Sequence, residues 1–211
     1  MSKNNNKMIN SYWNKFYKKF ILINPSPFAK FVLKKIKKNF SLLEVGCGNG
    51  RDTFYFIKNK IKCHAYDISE TAIKKNRIFY KKVFYIKNIC KIQKKLKKDF
   101  YDCIYARFFL HTINDTEQNY FFLNCKKILK KNGLIYLEFR TTKDNLFNKG
   151  KKISKYERIT DHYRRFIDPN KLRNEVIKKF NFKIVYLKSS NKFAVYKNDK
   201  PHVCRLILRK V

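Results

Sequence analysis

Glycine is scarce in this chain, and its placement constrains the fold more than any other feature. Five glycines occur in 211 residues, and Gly46, Gly48 and Gly50 fall within five positions, directly after the apolar run "SLLEV" (41–45). Glycine lacks a Cβ, so it reaches positive φ and lets another group approach the backbone closely. An apolar strand running into such a turn, followed by the helical pattern "DTFYFIKNK" (52–60), predicts an open α/β sheet with a ligand beyond the carboxyl end of the first strand.

The pattern downstream agrees. "IKCHAYD" (61–67), "VFYIKN" (83–88), "YDCIYAR" (101–107) and "LIYLEFR" (134–140) read as strands. Helical patterns separate them at 69–82, beginning on a Ser69 cap, and at 115–131, where Asn132-Gly133 reads as the stop. Such alternation implies parallel strands joined by right-handed crossovers. Two helices are expected ahead of the sheet, around 12–20 and 25–38, the second capped by Ser26 with Pro27 in its first turn. Residues 141–168 read as a long polar connection, followed by a helix at 170–179 and two strand-like runs, "FKIVYLKS" and "HVCRLILRK". The expectation is α/β: a single doubly wound Rossmann-like domain with a mostly parallel seven-stranded sheet at 41–211 and an N-terminal helical cap at 1–40.

The glycine turn excludes two common phosphate cradles. No Gly-Lys-Ser/Thr follows it, so it is not a P-loop. A dinucleotide fingerprint needs glycine at position 51, where Arg51 stands. The order is instead Glu44-x-Gly46-x-Gly48-x-Gly50, with Asp67 ending the second strand 21 residues after Gly46. An acidic group there can accept hydrogen bonds from both ribose hydroxyls.

On these residues the chain resembles the class I S-adenosylmethionine-dependent methyltransferases. "LLEVGCGNG", "AYDIS", "DFYDCIYA" and "LKKNGLIYLEF" fall in the family's order and spacing. The resemblance implies that Glu44 and the turn Gly46-Cys47-Gly48-Asn49-Gly50 hold the methionine part of S-adenosylmethionine. It places Asp67 on the ribose, Ile68 beside the adenine and Asn88 near the adenine amine. Arg51 has two readings, a partner for the cofactor carboxylate or an ion pair with Asp52.

The acceptor side follows the fourth strand. The [ND]-P-P-[YF] motif of amino-methylating enzymes on nucleic acid is absent, as are a Pro-Cys nucleophile and a paired-glutamate loop. Arginines stand there instead. Arg107 ends the fourth strand, Arg140 ends the fifth, and His162-Tyr163-Arg164-Arg165 lies in the excursion after it. Convergent arginines suit a phosphate or a carboxylate; intramolecular pairs with Glu138, Asp144, Asp161 or Asp168 are the structural alternative. If the acceptor is a hydroxyl, His111 and then His162 are the candidate bases, with a packing role for His111 equally open. Tyr12, Trp13 and Tyr17 at helical spacing form either a lid over the cofactor or plain core contacts. "SYWNKFYKK", "PSPFAKFV", "YARFFLHTI", "LEFR" and "HYRRFI" together resemble a bacterial methyltransferase subgroup linked to capsule and surface-glycan biosynthesis. That resemblance implies methyl transfer to an oxygen of a small anionic or glycan-precursor molecule.

Composition keeps other classes in view. Lys+Arg total 51 against 15 Asp+Glu, a formal net charge of +36. The lysines are dispersed in pairs along the chain, which suits a solvated basic surface arising from an AT-rich coding bias. An RNA methyltransferase that uses the charge to bind phosphates is the alternative, and a non-catalytic S-adenosylmethionine-binding protein is the third reading. Cys47, Cys63, Cys90, Cys103, Cys125 and Cys204 form no C-x-x-C pair and have no clustered histidines, so no metal site is expected. They read as buried thiols, which suits a reducing cytoplasm. Neither a signal peptide nor a membrane span is expected.

Overall fold

A computed structural model describes residues 3–19, 24–92 and 96–211, with the side chains of 3–9 excepted. The chain divides into two compact units, Met1–Asn88 and Ile89–Val211.

The first unit opens with helices α1 (Lys3–Lys19) and α2 (Pro27–Leu33). Ser26 caps α2 by accepting the Ala29 amide at 3.0 Å, and Pro27 occupies the first turn, where its missing N–H costs nothing. Strand β1 (Ser41–Val45) leads through the glycine turn into α3 (Arg51–Lys58). Strand β2 (Lys62–Asp67), helix α4 (Glu70–Arg77) and strand β3 (Phe84–Ile86) follow. The strands lie in the order β3-β2-β1 and are parallel, with Glu44 opposite Ala65 and Asp67 opposite Ile86. This register brings the acidic ends of β1 and β2 to the same edge as the turn. Beneath it, Cys47, Ala65, Ile73 and Phe84 form a buried cluster against Phe54 and Val83. Burial of each large apolar side chain there stabilises the unit by about 1.5–3 kcal/mol.

The second unit holds β4 (Tyr101–Arg107), α5 (Asp115–Ile128), β5 (Leu129–Arg140), β6 (Lys151–Lys152), β7 (Glu157–Ile159) and β8 (Tyr163–Arg165). Helix α6 (Pro169–Lys178), β9 (Phe182–Ser190) and β10 (Val203–Lys210) complete it. Strands β4 and β5 are parallel; β10 runs antiparallel between β5 and β9. The strands β1–β5, β9 and β10 are those of a mostly parallel seven-stranded Rossmann-like sheet. A capping box at Asn114 and Glu117 starts α5, and Asp168 caps α6 by accepting the Asn170 and Lys171 amides.

Four expectations are corrected. Helix α2 stops at Leu33, five residues before the expected end at 38, with Lys34 as its C-cap. Helix α4 stops at Arg77, five residues early: the Phe79 and Tyr80 amides both turn back to the Asn76 carbonyl, and their rings lie against Phe54 at 5.7 and 5.9 Å. Helix α5 ends at Ile128; Leu129 is already extended, and Asn132, at φ 63°, lies inside β5. Residues 141–168 are no loop. They carry a 3-10 turn at Asn145–Asn148 and the antiparallel sheet β6-β7-β8, in which Arg158 pairs with Arg164. All six cysteines are buried free thiols. Phe20, the last residue of the first expected helix, lies outside the described residues. Among the described residues no helix is long and apolar enough to cross a membrane, and no group of three or more His, Cys, Asp or Glu residues is placed to hold a metal.

Candidate active site

The turn after β1 has the backbone that its glycines were expected to provide. Gly46, Gly48 and Gly50 adopt φ of 72°, 51° and 75°. Gly46 and Cys47 donate their amides to the Tyr66 carbonyl at 2.8 and 3.2 Å, which pins the turn to the end of β2. Gly50 caps α3 without a side chain, and a Cβ there would meet Asn76 Nδ2 and the Phe54 ring at 3.0 Å. Asn76 donates to the Gly48 carbonyl at 2.8 Å, so α4 fixes the turn from its other side.

Asp67 faces this turn. One carboxylate oxygen accepts the Gly48 amide and the other the Ser69 amide, each at 2.8 Å. Burial raises its pKa, and the amides of Ser69, Gly48 and Ile68 oppose the rise by favouring the carboxylate. Glu44 is buried beside it and accepts the Thr53 hydroxyl in a short hydrogen bond. Burial, with Asp52 next, pushes the Glu44 carboxyl well above its ordinary range; the Thr53 bond and Arg51 pull the other way.

Arg51 lies at the start of α3 with Nε 3.7 Å from Asp52 Oδ1. Asp52 has closer partners: the Ser26 amide and hydroxyl donate to its two oxygens at 2.7 Å each. Ile68 and Asn49 are half-buried around the turn, and Asn88 follows β3. The sequence-expected cofactor residues from Glu44 to Ile68 thus lie on one edge of one unit. They fit a nucleoside. A buried carboxylate stands at the strand end, three left-handed glycines leave the turn without side chains of its own, and the surface of Gly48 receives the phenol of Tyr17.

In the second unit the structure gathers the arginines around His111. His111 is buried, and its Nδ1 accepts the Arg140 amide at 3.4 Å. Burial drives its pKa well below the ordinary histidine value, and Arg140, Arg164, His162 and Arg107 add to the fall in that order. The ring is therefore neutral, with its proton assigned to Nε2 by the bond at Nδ1.

Each arginine also has a carboxylate, but the carboxylates differ. Glu138, with a side chain 0% exposed, accepts Arg107 Nε at 3.0 Å and Arg205 Nε at 2.8 Å. Arg140 gives Nη1 to both oxygens of buried Asp144 at 3.0 and 2.9 Å, and Nη2 to Asp199 at 2.9 Å, whose side chain is 57% exposed. Arg164 pairs with Asp161, also 57% exposed. His162 Nδ1 lies 2.9 Å from the same Asp161; burial and Arg164 lower its pKa to about 4 although Asp161 opposes them. Tyr163 donates to Glu157, and burial followed by that bond raises its pKa.

Arg165 departs from the expectation that it faces an acceptor. Nε donates to the Ile113 carbonyl at 2.9 Å, Nη2 to Gln118 Oε1 at 2.7 Å and to the Leu110 carbonyl at 3.3 Å, and Nη1 pairs with Asp115. It is a strut tying β8 to the 3-10 turn at Leu110–Thr112 and to α5.

One residue of this cluster escaped the sequence. Phe108 sits at φ 53°, an uncommon conformation for an aromatic residue. Its ring carries the Arg107 guanidinium 4.0 Å from its centroid and that of Arg140 at 5.6 Å, and it meets the His111 ring at 5.3 Å. Strain of this kind concentrates at functional sites. Only the composition of "ARFFLH" hinted at it, since nothing in a sequence announces positive φ at phenylalanine.

Known structures share the architecture. The PH0226 protein of Pyrococcus horikoshii superposes with a TM-score of 0.73 at 15% identity, over 93% of this chain and 99% of that one. A SAM-dependent methyltransferase of Methanosarcina mazei matches at TM-score 0.73 and 14% identity, over 86% of this chain and 97% of its own. Phosphoethanolamine N-methyltransferase 1 of Haemonchus contortus, solved with phosphoethanolamine and S-adenosylhomocysteine, matches at TM-score 0.74 and 15% identity, over 100% of this chain and 50% of that one. No curated protein sequence matches significantly. The family model described as a methyltransferase domain aligns with residues 17–187, which takes in the glycine turn, Asp67 and the arginine cluster. The chain belongs to this methyltransferase domain family, whose fold and S-adenosylmethionine cofactor it shares.

Proposed function

We propose that the protein transfers a methyl group from S-adenosylmethionine to an oxygen of a small phosphate- or carboxylate-bearing molecule, glycan precursors included. When bound, the cofactor supplies a sulfonium-activated methyl. Asp67 would hold the ribose hydroxyls, Glu44 and the Gly46–Gly50 turn the methionine part, and Arg51 the carboxylate.

The acceptor reading rests on one observation: two arginines beside His111 are held by exposed carboxylates. Asp199 on Arg140 and Asp161 on Arg164 are each 57% exposed, whereas Glu138 and Asp144 are buried. Only the carboxylate of each pair is exposed, since Arg140 and Arg164 are 8% and 12% exposed, so displacement returns Asp199 or Asp161 to water while the arginine keeps an anionic partner. An incoming oxyanion can therefore displace Asp199 and Asp161 at little cost and take over the planar donors of Arg140 and Arg164. Arg107, stacked on Phe108 and fixed by Glu138, would hold the wall of the pocket.

His111 supports an acceptor that is already anionic. With Nδ1 engaged by the Arg140 amide, Nε2 carries a proton and donates. It can orient an oxyanion but does not take a proton from a hydroxyl. His162, with its pKa near 4, is a poor base at neutral pH. An oxyanion needs no base, only alignment and exclusion of water. The phosphoethanolamine found with the Haemonchus contortus protein is itself a phosphate ester.

Methyl transfer measured on matched acceptor pools tests this. Phosphorylated and carboxylated molecules should be methylated and their neutral hydroxyl counterparts should not. The Arg164→Gln variant should raise the acceptor KM about tenfold or more, since charge-assisted hydrogen bonds contribute roughly 1.5–3 kcal/mol. Preference for neutral acceptors, methyl incorporation into RNA alone, or an unchanged KM in Arg164→Gln would sink the reading.

A further inference from the structure

The surface of Gly48, on which the ligand of such a turn must lie, is covered by a side chain from α1. A Cβ built on Gly48 would stand 2.3 Å from the Tyr17 hydroxyl and 2.6 Å from Cζ. The phenol thus rests directly on the glycine backbone. Its surroundings are the residues assigned to the cofactor. Burial raises its pKa well above the ordinary value, and the titratable neighbours that act on it are Asp67, Cys47, Arg51 and Glu44.

The helix that carries Tyr17 is latched at both ends of its contact with α4. Asn14 Oδ1 accepts the Ser69 hydroxyl at 2.7 Å and the Thr71 amide at 3.2 Å. Lys75 Nζ donates to the carbonyls of Tyr17 and Lys18 at 3.0 and 3.1 Å, satisfying the open end of α1. Ser69 in turn gives its amide to Asp67, and Asp67 takes the Gly48 amide. A closed circuit therefore runs from Asn14 through Ser69, Asp67 and Gly48 back to Tyr17. Tyr12, Trp13, Phe16 and Tyr17 form its aromatic face, with the Trp13 and Tyr17 rings stacked at 5.9 Å.

We infer that α1 is a gate: docked as observed, its Tyr17 phenol occupies the cofactor's place on Gly48, where the methionine part would lie, and the helix must release α4 before the cofactor binds. This rests on the assignment of the glycine turn and Asp67 to S-adenosylmethionine. The exclusion is steric, because a phenol on the Gly48 backbone and a ligand packed on the same backbone compete for one volume. The latch sets its strength. Asn14 and Lys75 make the hydrogen bonds that the ligand must disrupt, so its apparent affinity is lowered by the population of the docked state.

The test uses S-adenosylhomocysteine and the full chain, with titration calorimetry and fluorescence. Trp13 is the sole tryptophan and lies on α1, so it reports on the gate without labelling. Tyr17→Ala removes the plug and Asn14→Ala weakens the latch without touching the pocket. Both should bind S-adenosylhomocysteine at least fivefold more tightly than the wild type. Adding the ligand to the wild type should shift Trp13 emission to the red as α1 leaves α4. Equal or weaker binding by both variants, or an unmoved Trp13 spectrum in a wild type that binds, overturns the gate while leaving the cofactor assignment intact. Failure of every variant and the wild type to bind overturns the assignment and the gate together.

Discussion

Asp67 and Gly48 are joined by a 2.8 Å hydrogen bond in which the carboxylate accepts the glycine amide. The end of β2 and the turn after β1 are thereby one rigid piece, and Asp67 has a structural duty besides any ligand it holds. Asp67→Asn separates the two. Its amide nitrogen would face the Gly48 or Ser69 donor, so one backbone N–H loses its partner. Urea denaturation should show a loss of about 1–3 kcal/mol. Calorimetry should show S-adenosylhomocysteine affinity down at least tenfold. Unchanged affinity would remove Asp67 from the ribose site.

Gly50 makes a second prediction. Its φ of 75° and the 3.0 Å approach of Asn76 and Phe54 to a Cβ leave no room for a side chain. Gly50→Ala should cost about 1–2 kcal/mol from the left-handed backbone, with more from the collision. A stability change under 0.5 kcal/mol would show that the turn relaxes.

Neighbouring arginines should behave in opposite ways. Arg165→Lys abandons Ile113, Leu110 and Gln118, and its stability should fall by about 2–4 kcal/mol. The acceptor KM of the surviving folded fraction should stay within twofold. Arg164→Gln gives up a pair with a half-exposed carboxylate and a bond to the Thr160 hydroxyl, either of which the glutamine amide can still serve, so unfolding should move by about 0.5–1.5 kcal/mol while the acceptor KM rises. If both variants merely destabilise, Arg164 is a strut as well.

Acid should find the histidines. His162 in the folded chain has a pKa of about 4, and that of His111 is lowered too, against an ordinary value near 6.5. Both are neutral in folded and unfolded chains above that value. As pH falls below about 6.5, the unfolded chain takes up protons that the folded one refuses, and stability drops until pH approaches 4. Urea midpoints between pH 7.5 and 4.5 should fall less steeply in His162→Asn than in the wild type. Parallel slopes would contradict the burial of His162.

Much of this was legible because it is local. "SLLEV" became β1 residue for residue, and Ser26 and Ser69 cap helices, since strand pattern and cap chemistry are decided within a few positions. The glycine turn was readable for the same reason: three glycines in five positions after a strand mark a left-handed backbone, and all three adopt positive φ. Residues 151–165 read as a loop because β6, β7 and β8 are two or three residues long, too short for any period to show. Whether an arginine pairs inward or outward depends on partners far along the chain. Arg165 finds Asp115 and Gln118, about 50 residues earlier, and Arg140 finds Asp199, 59 residues later. No spacing rule anticipates such partners. The role of Tyr17 likewise depends on a tertiary contact with Gly48.

The bond pair between Ser26 and Asp52 bears on how the chain can be trimmed. Asp52 is buried directly behind the glycine turn, and Ser26 supplies donors to both of its oxygens. A shortened protein starting at residue 41, where the sheet begins, would leave that carboxylate buried without the two Ser26 donors. Helix α2, which Ser26 caps, is thus a foundation rather than an accessory, and recombinant fragments lacking it should come out insoluble.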